Sequence, residues 1–326
     1  MPTSPNPTPQ PAIEFAPPSS LGPRVQFRAW LELLRLPNVF TAVADILLGF
    51  LFTHEDFSPW QSLALLIGSS ALIYSAGMAL NDFFDRQQDA KQRPGRPIPS
   101  GRISAAAAGR IGFGLLAVGV LLGCAAGFWS GAWRPAGVAV ALAVMVLMYD
   151  GVLKQTPLAP LAMGGCRFLN VLLGMSLATV PWLPVHWLVA AGIGLYIVGV
   201  TWFARTEAVE SSRLQLGAAT LVMMAALGLL YSFPNWATLD EIPPLQMPDR
   251  WPAFWGLLAL LLGWRCGLAA FDPQPAVVQA AVKNCIFSLI IIDAGACLAV
   301  QDVAHAGAII ALLVPTMLLG WFVYST

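Results

Sequence analysis

Long apolar runs, each about one membrane thickness, alternate along this chain with short polar breaks. About twenty apolar residues make one helical crossing. That rule predicts ten spans, near 38–54, 61–80, 106–128, 136–149, 158–180, 184–203, 213–232, 252–271, 282–301 and 304–323. The fourth is short, and only Gln301-Asp302 parts the last two, so a count of nine is also open. Before the first span, Val25–Leu36 alternates Arg28 and Arg35 with Phe27, Trp30, Leu31 and Leu34. This is the pattern of a helix lying in the membrane interface. Residues 1–23 hold eight prolines and almost no charge and read as a disordered tail. They lack the basic-then-apolar order of a cleavable leader. Residues 24–326 read as a single transmembrane domain. The expected fold is therefore an all-α, polytopic bundle of nine to ten transmembrane helices.

Composition agrees. The 326 residues are 57% hydrophobic and 10% charged, with a mean hydropathy of +0.70, against about 25% charged in a soluble domain. A net charge of zero argues against a nucleic-acid surface. The five cysteines form no CxxC pair and read as packing residues, and the three histidines are scattered near predicted helix ends. With the N-terminus inside, fifteen of the seventeen Lys and Arg residues fall on the inner side and only Arg134 and Arg250 on the outer. That bias predicts a cytoplasmic N-terminus. The outer segment Tyr231–Trp251, with Asp240, Glu241 and Asp249, reads either as an interfacial cap or as a plain connecting loop.

The densest polar stretch directly follows the second span. If that helix continues, Asp82, Asp85 and Asp89 share one face at i, i+3 and i+7, with Asn81 beside them. Clustered carboxylates repel unless a cation lies among them, and Mg2+ commonly joins one or two carboxylates to a substrate phosphate. Arg86, Lys91, Arg93, Arg96 and Arg102 supply a complementary anion clamp. Taken alone, such a run is more often a solvated helix end at headgroup level. A second acidic pair changes the balance. Glu207 and Glu210, after the sixth span, fall at i and i+3 on the same side of the membrane. Two acidic patches facing one cavity suit metal ions around a diphosphate leaving group.

A third constellation lies between them. Lys154 ends the fourth span, and Arg167 and Asn170 sit midway along the fifth. An Arg at that depth must face a polar cavity or an anion, whereas Asn170 serves equally well as a helix–helix hydrogen bond. Asp45 and Asp293 are also embedded and read as polar contacts within the bundle or a second-substrate contact.

These residues resemble the UbiA superfamily of intramembrane prenyltransferases. The family's NDxxDxxxD followed by RxxRPxxSG is matched by Asn81, Asp82, Asp85 and Asp89, then Arg93, Arg96, Pro97, Ser100 and Gly101. Leu34-Arg35-Leu36-Pro37-Asn38 resembles its first-span entry. Tyr149…Lys154 and Arg167…Asn170…Gly174 resemble its fourth and fifth spans. The likeness runs over most of residues 30–215. It departs at the second motif, where Glu207 and Glu210 stand in place of Asp. In that respect the chain looks most like the branch encoded in bacterial Ebo clusters.

The resemblance implies a transferase that moves a polyprenyl group from a polyprenyl diphosphate to a lipophilic acceptor within a bacterial inner membrane. It implies Mg2+ held by Asp82, Asp85, Asp89, Glu207 and Glu210, and diphosphate held by Asn81, Arg93, Arg96 and Lys154. Asp82, Asp85, Lys154, Arg167 and Asn170 would be the catalytic group, with Arg167 a further contact to phosphate oxygens. Two other classes stand beside it. A transporter would expose polar groups at both membrane faces, whereas the charge here gathers at one. A scaffold would bind a prenyl lipid without turnover. The DGxxAR…GxxxD…D run of a CDP-alcohol phosphotransferase is absent.

Overall fold

The computed structural model describes residues 22–179, 181–207, 210–236, 245 and 248–324, and they fold into helices joined by turns and loops. Most of the proline-rich tail, residues 1–21, lies outside them, as do Asp240 and Glu241 of the outer segment. The α-helices are α1 (Pro23–Leu33), α2 (Leu36–Leu51), α3 (Trp60–Gln92), α4 (Ala105–Ser130), α5 (Arg134–Gly151) and α6 (Ala159–Gly174). They continue with α7 (Pro184–Ala204), α8 (Arg213–Ser232), α9 (Trp251–Phe271), α10 (Pro275–Cys297), α11 (Val303–Ile310) and α12 (Leu313–Tyr324). Proline stands in the first turn of α1, α2, α5, α6, α7, α9 and α10. There its missing N–H is no loss and its fixed φ favours the helix.

Among the described residues, nine helical segments are long and apolar enough to cross a membrane. The α1–α2 pair, bent by 40°, makes a tenth if it is one span. The chain is an all-helical integral membrane protein. The last candidate span, Val303–Val323, takes in two successive helices, α11 and most of α12.

Helix α2 sits at the middle of the bundle, packed against α3, α6, α10 and α12. Its approach to α6 needs glycine on both sides. A Cβ on Gly49 would lie 2.2 Å from the Val171 carbonyl oxygen, and one on Gly174 would lie 2.5 Å from that of Ile46. The two backbones therefore touch, as small residues allow within a membrane.

Two local features set up the polar end. First, α3 runs unbroken for 33 residues through the acidic stretch, so the expected continuation of that helix is what folds. Second, Arg35, between α1 and α2, takes a left-handed backbone with φ 45°. That conformation is uncommon for a residue with a side chain and costs of order 1 kcal/mol or more. It turns the chain so that the Arg35 side chain reaches Asp82 on α3, at 3.7 Å.

Candidate active site

The acidic face of α3 is neutralised from within. Arg96 Nη1 donates to Asp82 Oδ1 at 3.1 Å and to Asp89 Oδ2 at 2.7 Å, so two carboxylates converge on one cationic nitrogen. Lys154 pairs with Asp85 and also donates to Asn81 Oδ1 at 3.0 Å. Asn81 in turn donates to Asp150 Oδ1 at 3.2 Å.

The loop after α3 places its arginines by ordinary turn chemistry. Ser100 Oγ donates to the Arg96 carbonyl at 2.7 Å, and Gly101 takes a left-handed φ of 73° that suits glycine. Ile98 and Ile103 anchor the loop in a small core with Ala29, Leu33, Ala79 and Ala108. Arg102 forks onto Glu32 of α1 at 2.6 and 3.1 Å, which ties the interfacial helix to the loop.

The second acidic site meets the first here. Arg93 approaches Glu207 at 3.9 Å, and one pocket is lined by Glu32, Arg35, Asn38, Asp82, Arg93, Arg96, Pro97 and Glu207. Burial pushes the Glu207 carboxyl above its ordinary range, and Arg93, Arg35 and Arg96 pull it back. Glu210 does not join it. Helix α7 ends at Ala204 and Glu207 stands in a turn, so the expected helical i, i+3 pairing fails and Glu210 is exposed.

Below this mouth lies a cavity of about 220 Å3 that shares Arg35 and Asn38 with it. Its walls are mainly apolar: Ile73, Leu142, Val146, Ile197, Val200, Val282, Ile286 and Leu289, with Tyr74 and Tyr149. Arg167 and Asn170 border this chamber and not the mouth. Arg167 donates to Asp45 Oδ2 at 2.9 Å and to Thr41 Oγ1 at 2.7 Å. Asn170 donates to the same Asp45 oxygen at 2.9 Å and accepts from Ser70 Oγ at 2.7 Å. Arg167, expected to reach phosphate oxygens, thus lies on the chamber and not at the mouth. Its two terminal nitrogens are engaged, and the anion it faces is Asp45 of its own chain.

No three acidic, His or Cys side chains among the described residues stand close enough together to hold a metal ion by themselves. The donor chemistry nevertheless fits Mg2+. Asp82 and Asp89 offer hard oxygens to a single cation, and Mg2+ is commonly held by one or two carboxylates with substrate phosphate completing its shell.

The model of the UbiA prenyltransferase family matches residues 42–291. The chain belongs to this family. The match covers both acidic sites and extends well past residue 215, where the motifs end. The chain is 36% identical over 157 residues to digeranylgeranylglyceryl phosphate synthase of Ignicoccus hospitalis, covering 48% of this chain and 49% of the relative. It is 33% identical over 161 residues to the Methanopyrus kandleri enzyme of the same name, covering 48% and 57%. It thus spans about half the length of the curated relatives it matches. A UbiA homolog from Archaeoglobus fulgidus bound to GPP and Mg2+ shares the fold, with a TM-score of 0.61 at 15% identity over 87% of this chain and 99% of that one. So does an apo UbiA homolog from Aeropyrum pernix K1, with a TM-score of 0.63 at 17% identity over 79% and 96%.

Sequence reasoning missed two members of this UbiA-family site. The sequence marks Arg35 only as part of an interfacial helix and an entry motif, and it assigns Asp150 no role. Arg35 carried a usable signal, since it directly precedes Leu36-Pro37, where a new helix begins.

Proposed function

We propose that this protein transfers a prenyl group from a prenyl diphosphate to a lipophilic acceptor inside the membrane, with Mg2+ as cofactor. The observation that carries the reading is one mouth where Asp82 and Glu207 meet Arg35, Arg93 and Arg96, opening onto an apolar chamber. The likeness to relatives named digeranylgeranylglyceryl phosphate synthase supports it. In this reading residues 24–326 act as one domain of a bacterial inner membrane, with the N-terminus and the mouth cytoplasmic. The clustering of basic residues supports that orientation.

The diphosphate lies at the mouth and the isoprenoid tail in the chamber. Asp82, Asp85 and Asp89, with Glu207, would hold Mg2+, which when bound stabilises charge on the departing diphosphate. Arg93, Arg96 and Lys154 turn from the carboxylates to the phosphate oxygens, and Arg35 stands at the junction. Asn81, fixed between Lys154 and Asp150, orients the head. The apolar walls keep water from an allylic cation. Asn170 and Arg167 shape the chamber wall and act on neither phosphate nor metal directly.

The test is purified protein with Mg2+ and prenyl diphosphates of graded length, following diphosphate release and prenylated product. Activity is expected with Mg2+ and none after chelation. Tight binding of the diphosphate with no product across many acceptors would favour a lipid-holding scaffold, a reading that the exposed Glu210 keeps in play.

The two glutamates separate cleanly. Glu207→Gln is expected to lower diphosphate release by about 10²-fold, the scale of losing one electrostatic contact at a reacting centre. Glu210→Gln is expected to stay within about threefold of the parent, because an exposed carboxylate is well screened. Steady-state rates at saturating Mg2+ check both, and equal losses would restore Glu210 to the site.

A further inference from the structure

Helix α10 lines the chamber with Val282, Ile286 and Leu289. With Asp293 these positions fall at i, i+4, i+7 and i+11, one stripe along the helix. Asp293 thus stands about one turn beyond Leu289, roughly 6 Å further along the axis. It is wholly buried, and neither of its oxygens has a hydrogen-bond partner. It lies within hydrogen-bond reach of Asp45 on α2, which is wholly buried too. Asp45 uses its two oxygens unevenly. Oδ2 accepts from Arg167 and from Asn170, at 2.9 Å each, while Oδ1 has no partner.

The charges at this point do not balance. Two carboxyl groups meet one guanidinium, and Arg167 forms its ion pair with Asp45. Tyr74 of α3 lies under that guanidinium, and Cys297 follows Asp293 by one turn of α10. Neither can supply positive charge. Two carboxylates this close, away from water, cannot both stay ionised, and such pairs share one proton. A single hydrogen removes every defect together. It cancels the surplus charge, and it gives Asp45 Oδ1 the donor it lacks. Asp45 stays ionised because it is the member that faces the cation.

We propose that Asp293 is a positioning residue carried as a neutral carboxylic acid, whose hydroxyl donates to Asp45 Oδ1. Through Asp45 it fixes Arg167 and Asn170 on the chamber wall. It also fastens α10, with its chamber stripe, to α2. The role goes beyond prenyl transfer and holds whatever molecule the chamber takes.

The experiment is infrared spectroscopy of the full chain in lipid nanodiscs, parent minus Asp293→Asn. A carboxylic-acid carbonyl band is expected in the difference at neutral pH. It is expected to persist to about pH 8, although a free Asp ionises near about pH 4. On an Asp45→Asn background the same subtraction is expected to give a shifted band or none, because the acceptor is no longer an anion. Asn at this position also donates, so Asp293→Asn is expected to keep a folded fraction within about twofold of the parent after a detergent challenge. Asp293→Leu leaves Asp45 Oδ1 without a donor and is expected to lower that fraction about tenfold or more, the scale of a hydrogen bond to a charged group. Should Asp293→Asn fail to fold, Asp293→Ser, also a donor, supplies the subtraction. Absence of the band at neutral pH overturns the proposal, and so does a band that Asp45→Asn leaves unchanged. Donor variants that both fold no better than Asp293→Leu overturn it as well. Folding that requires Na+ and fails in choline, with no band, would place a metal cation between the carboxylates and likewise overturn it.

Discussion

Asp82→Ala is expected to reduce diphosphate release by about a thousandfold or more, the range seen when charge stabilisation at a reacting centre is removed. Asp82 has this weight because of its place among cations. It faces Arg96 at 3.1 Å and Arg35 at 3.7 Å, and it lines the pocket that also holds Glu207. Without it, the two-carboxylate point at Arg96 Nη1 disappears, and Asp89 alone faces the cation. Initial rates of diphosphate release, with binding of a prenyl diphosphate measured separately, check the result. Release within threefold of the parent would mean that the leaving group is held elsewhere. The same experiment on Asp85→Ala tests the second arm of the site, where Lys154 loses its carboxylate partner.

The second large effect falls on stability. Arg167→Met removes the cation facing Asp45, which is wholly buried, as is Asp293 beyond it. Removing one partner of a buried pair strands a charge and typically costs about 3–5 kcal/mol. The variant is therefore expected to lose folded protein in detergent and to unfold at clearly lower temperature. The double change Asp45→Asn with Arg167→Met removes both charges. It is expected to recover at least half of the loss, because replacing both members of such a pair is often near neutral. A single variant as stable as the parent would show that Asp45 does not depend on Arg167. Chemistry at the mouth is expected to change less than stability, since neither Arg167 nor Asp45 lines it.

How much of this was legible beforehand depends on whether a property is local. Hydropathy repeats within one segment, so the spans and the all-helical class could be read directly. The shared face of Asp82, Asp85 and Asp89 also needed only the helical period, and α3 keeps that period through Gln92. The clustering of basic residues toward one end is likewise a count along the chain. The pairing of Arg167 with Asp45 is of another kind. It joins residues 122 positions apart and exists only because Gly49 and Gly174 let α2 and α6 touch. The split fate of Glu207 and Glu210 turned on where α7 stops, and the sequence around Ala204 holds no Pro or Gly to mark that end.

Nor does the order of residues say that Arg96 sits between Asp82 and Asp89, or that Asp293 comes within reach of Asp45. The sequence by itself determined which segments enter the membrane and which face of α3 is acidic, because both follow from periods of a few residues. The tertiary structure alone decided which charge answers which, because an ion pair inside a membrane is set by which helices come into contact.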